Sequence, residues 1–264
     1  MDPAALPAPS APATPDRYCR LEHGFLYASR RLHTVATVRP AGVLLLSACG
    51  RPFVLHVGPR RLEVQAAAVR PLVARDLHAL GVALVSLNVH PTDAAFARFA
   101  ALAGDGVLAL PPQAFMPLRP SLVAFADGRL ATRAQGQALA EALLDRCAGG
   151  LPEAPAADAL RPALLAWLQQ HPDGRLDQLA QALGISYHRM SHRFTQAMGL
   201  PFRHWMAFAR AQRAARRFAA GATLTGIAHE AGFHDSAHLS HTWQRTYGLS
   251  PSFVRSGNSV QAIL

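Results

Sequence analysis

The chain contains no lysine; all 26 of its basic side chains are arginine, against 16 carboxylates, for a formal charge of +10. A guanidinium is a planar fork suited to phosphates and base edges, so this excess favours a polyanionic partner over a neutral one. Cysteine is scarce as well. Cys19, Cys49 and Cys147 are odd in number and scattered, which rules against a disulfide framework and suits a reducing cytoplasm. They read as small buried hydrophobes. No apolar run approaches the ~18 residues of a membrane span; the longest covers residues 41–49. The opening residues carry Asp2 and no basic stretch ahead of an apolar core, so no secretory signal is expected.

What is present divides in two. A length of 264 residues, half of them hydrophobic, is enough for about two domains with cores of their own. Residues 1–157 carry 15 Arg against 11 acids, and residues 158–264 carry 11 Arg against 5. Eight of the 13 histidines also fall in the second part.

In chain order, residues 1–16 hold five prolines and almost no large apolar side chains, the composition of a disordered arm. Residues 18–89 then show short apolar or β-branched runs around Pro40, Gly42, Gly58 and Pro59, the spacing of a small barrel or sandwich. A helix is expected over 92–103, capped by Thr92 or Asp93, with Phe96, Phe99 and Leu102 on one face, and another over 133–147. Each is a dimer surface or a cover for the strands. Residues 149–157 are rich in Gly and Pro and read as a linker.

Everything from residue 158 to about 256 reads as helix. One pattern occurs twice in it: Met190-Ser191-His192 aligns with Leu239-Ser240-His241, Phe194 with Trp243, and Gly199-Leu200 with Gly248-Leu249, all at an offset of 49 residues. A repeat at one offset implies one supersecondary unit used twice. In each copy a helix of about eight residues is followed by a glycine (Gly184, Gly232) and a longer polar-faced helix, which is the helix-turn-helix pattern. Glycine-turned helix pairs also occur in plain bundles, and the composition of the second helix separates the readings. Its unburied positions are Tyr187, His188, Arg189, Ser191, His192 and Arg193 in the first copy. In the second they are Ser236, Ala237, His238, Ser240, His241 and Arg245, with no carboxylate after Asp235. A surface that meets phosphates and base edges excludes acids. A long helix from Pro201 to about Ala219, ~28 Å at 1.5 Å per residue, joins the copies. It can carry two reading heads about one DNA turn, ~34 Å, apart.

Residues 176–255 resemble the DNA-binding domain of the AraC/XylS family of bacterial transcription regulators. The resemblance is carried by Leu179-Ala180, Gly184-Ile185-Ser186, Phe194 and Gly199, by Ala214, Ile227-Ala228 and Gly232-Phe233, and by Gly248-Leu249-Ser250-Pro251 with Phe253 and Arg255. It implies a two-domain α+β protein with an all-α, homeodomain-like double helix-turn-helix domain over 158–256 and a tail over 257–264. That domain would bind double-stranded promoter DNA, most often as an activator working with RNA polymerase. The base-facing positions carried over are His188, Ser191 and His192, then Ala237, His238 and His241. Ser186, Tyr187, Arg189, Arg193, Ser236, Ser240 and Arg245 remain as DNA-backbone contacts. The chain departs from the family pattern at four positions. His192 and His241 stand where arginine is usual, and an imidazole cannot grip guanine through two bonds. Gly226 removes a capping box at the helix that begins at Leu224, and Arg175 is a weak cap for the helix that begins at Leu176.

The resemblance further implies a reduced cupin-like barrel over 17–148 that binds a small-molecule effector or forms a homodimer. His56 and His78 are isolated in the sequence and read as satisfied core or rim histidines, so no metal, cofactor or catalytic residue is expected. Two rival readings stay open: an enzyme in residues 18–150 targeted by the DNA domain, and an adaptor of the transcription machinery that does not read DNA. No membrane role is expected, and the protein is expected in the cytoplasm.

Overall fold

The computed structural model describes residues 14–218, 222–255 and 260–263. The expected arm therefore lies largely outside the described residues, although Asp16 already opens the first strand, β1 (Asp16–Arg20). The strand pairs with β2 (Gly24–Thr37), longer than the sequence runs suggest. There follow β3 (Gly42–Ser47), β4 (Phe53–Val57), β5 (Arg60–Val64), β6 (Ala66–Val69) and β7 (Arg75–Val89).

β7 organises the sheet. It runs antiparallel to β2 along nearly its whole length, and its other edge is shared: residues 84–89 pair with β3, and residues 76–78 with β4. The change of partner falls at Gly81, whose φ of +72° suits a residue without Cβ. Opposite it, β2 shifts register between Ser29 and Arg31. A bulge of this kind bends a strand and strengthens its twist, so the sheet curls. It does not close: the order is β8-β6-β3-β7-β2-β1-β9, with β4 and β5 off the β7 edge, where β8 is Val107–Ala109 and β9 is Val260–Ile263. The expected barrel is thus an open, barrel-like sheet. β9 was not anticipated: part of the tail after residue 256 returns and pairs parallel with β1.

Curling gives the sheet two cores. One side is filled mainly by strand side chains, among them Phe53, Leu55, Val43, Leu45, Leu77 and Leu84, with Tyr247 and Leu249 packed against them. The other side is covered by helices α1 (Phe96–Ala100), α2 (Arg119–Ala126) and α3 (Arg133–Ala148) and by a 3-10 turn over Pro112–Leu118. α1 is far shorter than expected. Asp93 accepts the Ala95 N–H at 2.8 Å, a local turn that competes with helix at Thr92 and Asp93. α3 matches its sequence and starts on a capping box between Thr132 and Gln135. Phe96, Phe99, Leu139 and Leu143 are buried in the sheet core, so both helices act as covers.

The linker is tied down by Arg98, whose guanidinium donates to the carbonyls of Ala148, Leu151 and Pro152. The remainder is helical: α4 (Arg161–Gln170), α5 (Leu176–Ala182), α6 (Tyr187–Met198), α7 (Phe202–Arg217), α8 (Leu224–Ala231), α9 (Ser236–Tyr247) and α10 (Pro251–Arg255). The proposed helix end near Ala219 and Gly221 lies outside the described residues. Two separate cores form here. Leu164, Leu179, Met190, Phe194 and Trp205 make one; Ala211, Ala214, Ile227, Leu239 and Trp243 make the other. α7 gives its first half to one and its second half to the other.

Candidate nucleic-acid interface

Each helix pair is built by the same local devices. Ser186 and Asp235 cap α6 and α9 by accepting the N–H groups of Arg189 and His238. Gly184 and Gly232 take left-handed φ values of +63° and +82°. Behind them the N–H groups of Ile185 and Phe233 close on the carbonyls of Ala180 and Ala228. The common offset holds only from the caps onward, where Ser186 answers to Asp235 and Gly199 to Gly248. Ahead of the caps it is one shorter, Gly184 answering to Gly232, because the second turn accommodates His234 as an additional residue. The weak caps are patched as well. Gln178 Oε1 accepts the Arg175 N–H at 2.9 Å, and Thr223 accepts the Gly226 N–H at 3.1 Å.

His188, His192, Ala237, His238 and His241 are exposed, as are Tyr187, Arg189 and Arg245; Ser191, Ser236 and Ser240 are half-buried. Several are committed to the protein itself. The Ser186 hydroxyl is a cap, Ser240 donates to the Ser236 carbonyl at 2.8 Å, and Arg193 reaches Gln196 and Asp158. His188, His192 and His241 have no side-chain hydrogen bond within the described residues, which leaves their ring nitrogens available. Asp235 is the one carboxylate on α6 and α9 and their caps among the described residues. The His238 N–H that it accepts, then His234, hold its carboxyl below the usual carboxylate range, so it stays ionised as a cap.

Three arginines prove structural. Arg213, in the second half of α7, binds Asp173 at 2.8 Å and the Ala231 carbonyl, and so ties the connection ahead of α5 to the end of α8. Arg161 spans the domains, donating to the carbonyls of Ala197 in α6 and Pro91. Arg39 is buried between β2 and β3. Its guanidinium donates to Asn88 at 2.7 Å and to the carbonyls of Thr246 and Tyr247, the last turn of α9. Burial draws its pKa down to about 10, which leaves it charged at neutral pH. No local signal announces such residues. Their partners lie up to 208 positions away.

His56 and His78 are not isolated. His33, His78 and His56 stack edge-on across three strands, with ring centroids 4.4 and 5.2 Å apart. Among the described residues no trio is placed to hold a metal ion, and no helix is long and apolar enough to cross a membrane.

Between the domains lies a cleft of about 1190 Å³. Its apolar wall includes Leu168, Trp205, Met206 and Trp243, and its rim carries Arg20, Arg133 and Arg216. These three arginines have no ion pair within the described residues.

Two helix-turn-helix units on one connecting helix, with the polar halves of both second helices exposed, make a two-headed helix-turn-helix domain behind a curled sheet. Residues 179–257 match a family model described as a helix-turn-helix domain. The HTH-type transcriptional activator RhaS of Escherichia coli strain SE11 is 30% identical over 97 residues, 36% of this chain and 35% of that protein; RhaS of strain K12 / DH10B is similar to the same extent. The chain spans about a third of the length of these curated relatives. Among solved structures, ToxT from Vibrio cholerae strain SCE256 with an unsaturated fatty acid bound shares the two-domain fold. Its TM-score is 0.54 at 10% identity, over 87% of this chain and 93% of that one. Apo ToxT K231A gives 0.53 at 12% identity, over 91% and 96%. These matches show a helix-turn-helix domain over residues 179–257 and, for the whole chain, a two-domain fold like that of ToxT.

Proposed function

We propose that this protein is a sequence-specific DNA-binding transcription regulator, an activator, that reads two successive major-groove segments of promoter DNA. The observation that carries this is the pair of exposed, acid-free helix faces of α6 and α9. Reading falls to His188, Ser191 and His192 in the first head and to Ala237, His238 and His241 in the second. Tyr187, Arg189, Arg193, Ser236 and Arg245 flank them as phosphate contacts. Ser186 and Ser240 can contribute only through whatever hydrogen-bonding capacity their helix contacts leave. RNA polymerase and a second copy of the chain are the protein partners we propose from the family resemblance, with the cytoplasm as the place of action.

The reading includes a small-molecule effector. Both sides of the sheet are packed with side chains, which favours the interdomain cleft over a barrel interior. An acid with an apolar body suits its apolar wall and the three rim arginines, which have no ion pair within the described residues. ToxT, of the same fold, was solved with a fatty acid.

Duplexes selected from a random pool by the wild-type protein, followed by a mobility-shift salt series, test the DNA reading. Phosphate contacts make affinity fall steeply between about 50 and 200 mM salt. A flat salt response, or failure to enrich any sequence, would sink the proposal.

A further inference from the structure

Both reading helices end on the N-terminal domain, and they do so with equivalent residues. In α6 the Ala197 carbonyl is held by Arg161 at 3.1 Å, and the same guanidinium grips Pro91 of the N-terminal domain. In α9 the equivalent residue is Thr246, whose carbonyl is held by Arg39 at 3.2 Å. The following glycines, Gly199 and Gly248, take φ values of +69° and +74°. A Cβ on Gly199 would meet Phe96 at 3.0 Å, and one on Gly248 would collide with Thr34. Each glycine therefore lets a helix end approach the sheet domain closely. The next residues complete the pattern: Leu200 is buried in the helix-covered core of the sheet, and Leu249 packs against the core on its other side. The Val38 N–H adds a 3.0 Å bond to the Arg245 carbonyl.

The repeated Gly-Leu pair thus plugs the two heads into two sides of one sheet. The opposite ends of the helices, with Tyr187, His188, Ala237 and His238, stay exposed. These contacts anchor the heads without covering their reading ends.

We infer that the N-terminal domain sets the separation of the two reading heads, with Arg39 and Arg161 as the positioning residues. This rests on the reading of α6 and α9 as DNA heads only where DNA spacing is concerned; the positioning itself is a property of the free protein. α7 has 16 residues, about 24 Å at 1.5 Å per residue. It belongs half to each core, so it links the heads while the sheet holds their far ends. Half-site spacing follows from head separation, and a fixed separation makes a protein intolerant of altered spacing.

The test uses the full chain. Spin labels are placed through Gln196→Cys and Gln244→Cys, with Cys49→Ser removing the half-exposed native thiol. Pulsed distance measurements without DNA then compare the parent with Arg39→Gln and Arg161→Gln. One narrow distance distribution is expected for the parent, and a broadened or second distribution for each variant. Unchanged distributions overturn the inference. On a selected duplex, inserting single base pairs between the half-segments should cost the unlabelled wild type about tenfold in affinity or more, and either variant about threefold or less. Affinity for an isolated half-segment should be unchanged. Spacing profiles that superimpose on the wild type would remove both arginines as specificity determinants. Circular dichroism checks folding. If Arg39→Gln does not fold, Arg161→Gln, which alters only a half-buried side chain, decides alone. If the wild type selects no duplex, the DNA-reading proposal falls, and the distance measurement still decides the positioning role.

Discussion

His90 stands where the two domains meet, and it offers a quantitative handle on their union. It is 8% exposed. Its ring packs edge-on against Phe25 of β2 and Phe208 of α7, with centroids 6.0 and 4.9 Å away. Its Nε2 lies 3.3 Å from the Gln212 amide nitrogen, which donates to a neutral imidazole. Burial first, then the charges of His23 and Arg216, lower its pKa to about 3. An unfolded histidine takes its proton near pH 6.5. Between those values the unfolded chain binds more protons than the folded one, so stability falls as the pH falls. From pH 7 to pH 5 the loss from this one group is about 2 kcal/mol. The whole shift, worth about 5 kcal/mol, is reached only near pH 3. Urea unfolding at the two pH values, for wild type and His90→Leu, isolates the effect, since carboxylates and the other histidines contribute equally to both. The variant should lose about 2 kcal/mol less than the wild type on acidification. Equal losses would show that His90 is not held neutral at a closed interface.

Other outcomes follow from the same geometry. His192→Ala or His241→Ala should weaken the selected duplex by about tenfold, one hydrogen bond to a base edge, and flatten preference at that base pair; selectivity identical to wild type in both variants would refute their role as readers. Gly184→Ala meets open space and only the strain of a positive φ, so thermal unfolding should show a loss of about 1 kcal/mol. Gly248→Ala adds a collision with Thr34, and its loss should be clearly larger, about 2–4 kcal/mol; equal losses would argue against the docked position of α9. Phe194→Ala should cost about 3–5 kcal/mol, measured by denaturant unfolding, and hydrogen exchange should show that it loosens α5 and α6 before α8 and α9, because the two helical cores are separate.

Much of the helical half is legible from short range. Caps, glycine turns and a three-to-four rhythm are set within one or two helical turns, so Ser186, Gly184 and Phe194 declare their roles in the sequence, and so does the repeat itself. The sheet is less legible. β2 and β7 run past bulges and a positive-φ glycine that read as breaks along the chain, and β9 pairs with a strand some 240 residues upstream. The exposed faces of α6 and α9 follow from periodicity once their buried residues are known. Which arginines remain free does not, because Arg213 and Arg39 are spent on carbonyls that only folding brings near.

By itself the sequence determined that there are two helix-turn-helix units, where their glycine turns fall, and which side chains their second helices expose, because those features rest on neighbours a few residues apart. Only the tertiary structure decided that both units end on one curled sheet, through Arg161 and Arg39. The Arg39 guanidinium meets the Thr246 carbonyl across 207 residues of chain, and no local pattern encodes a contact whose partners meet only after both domains have formed.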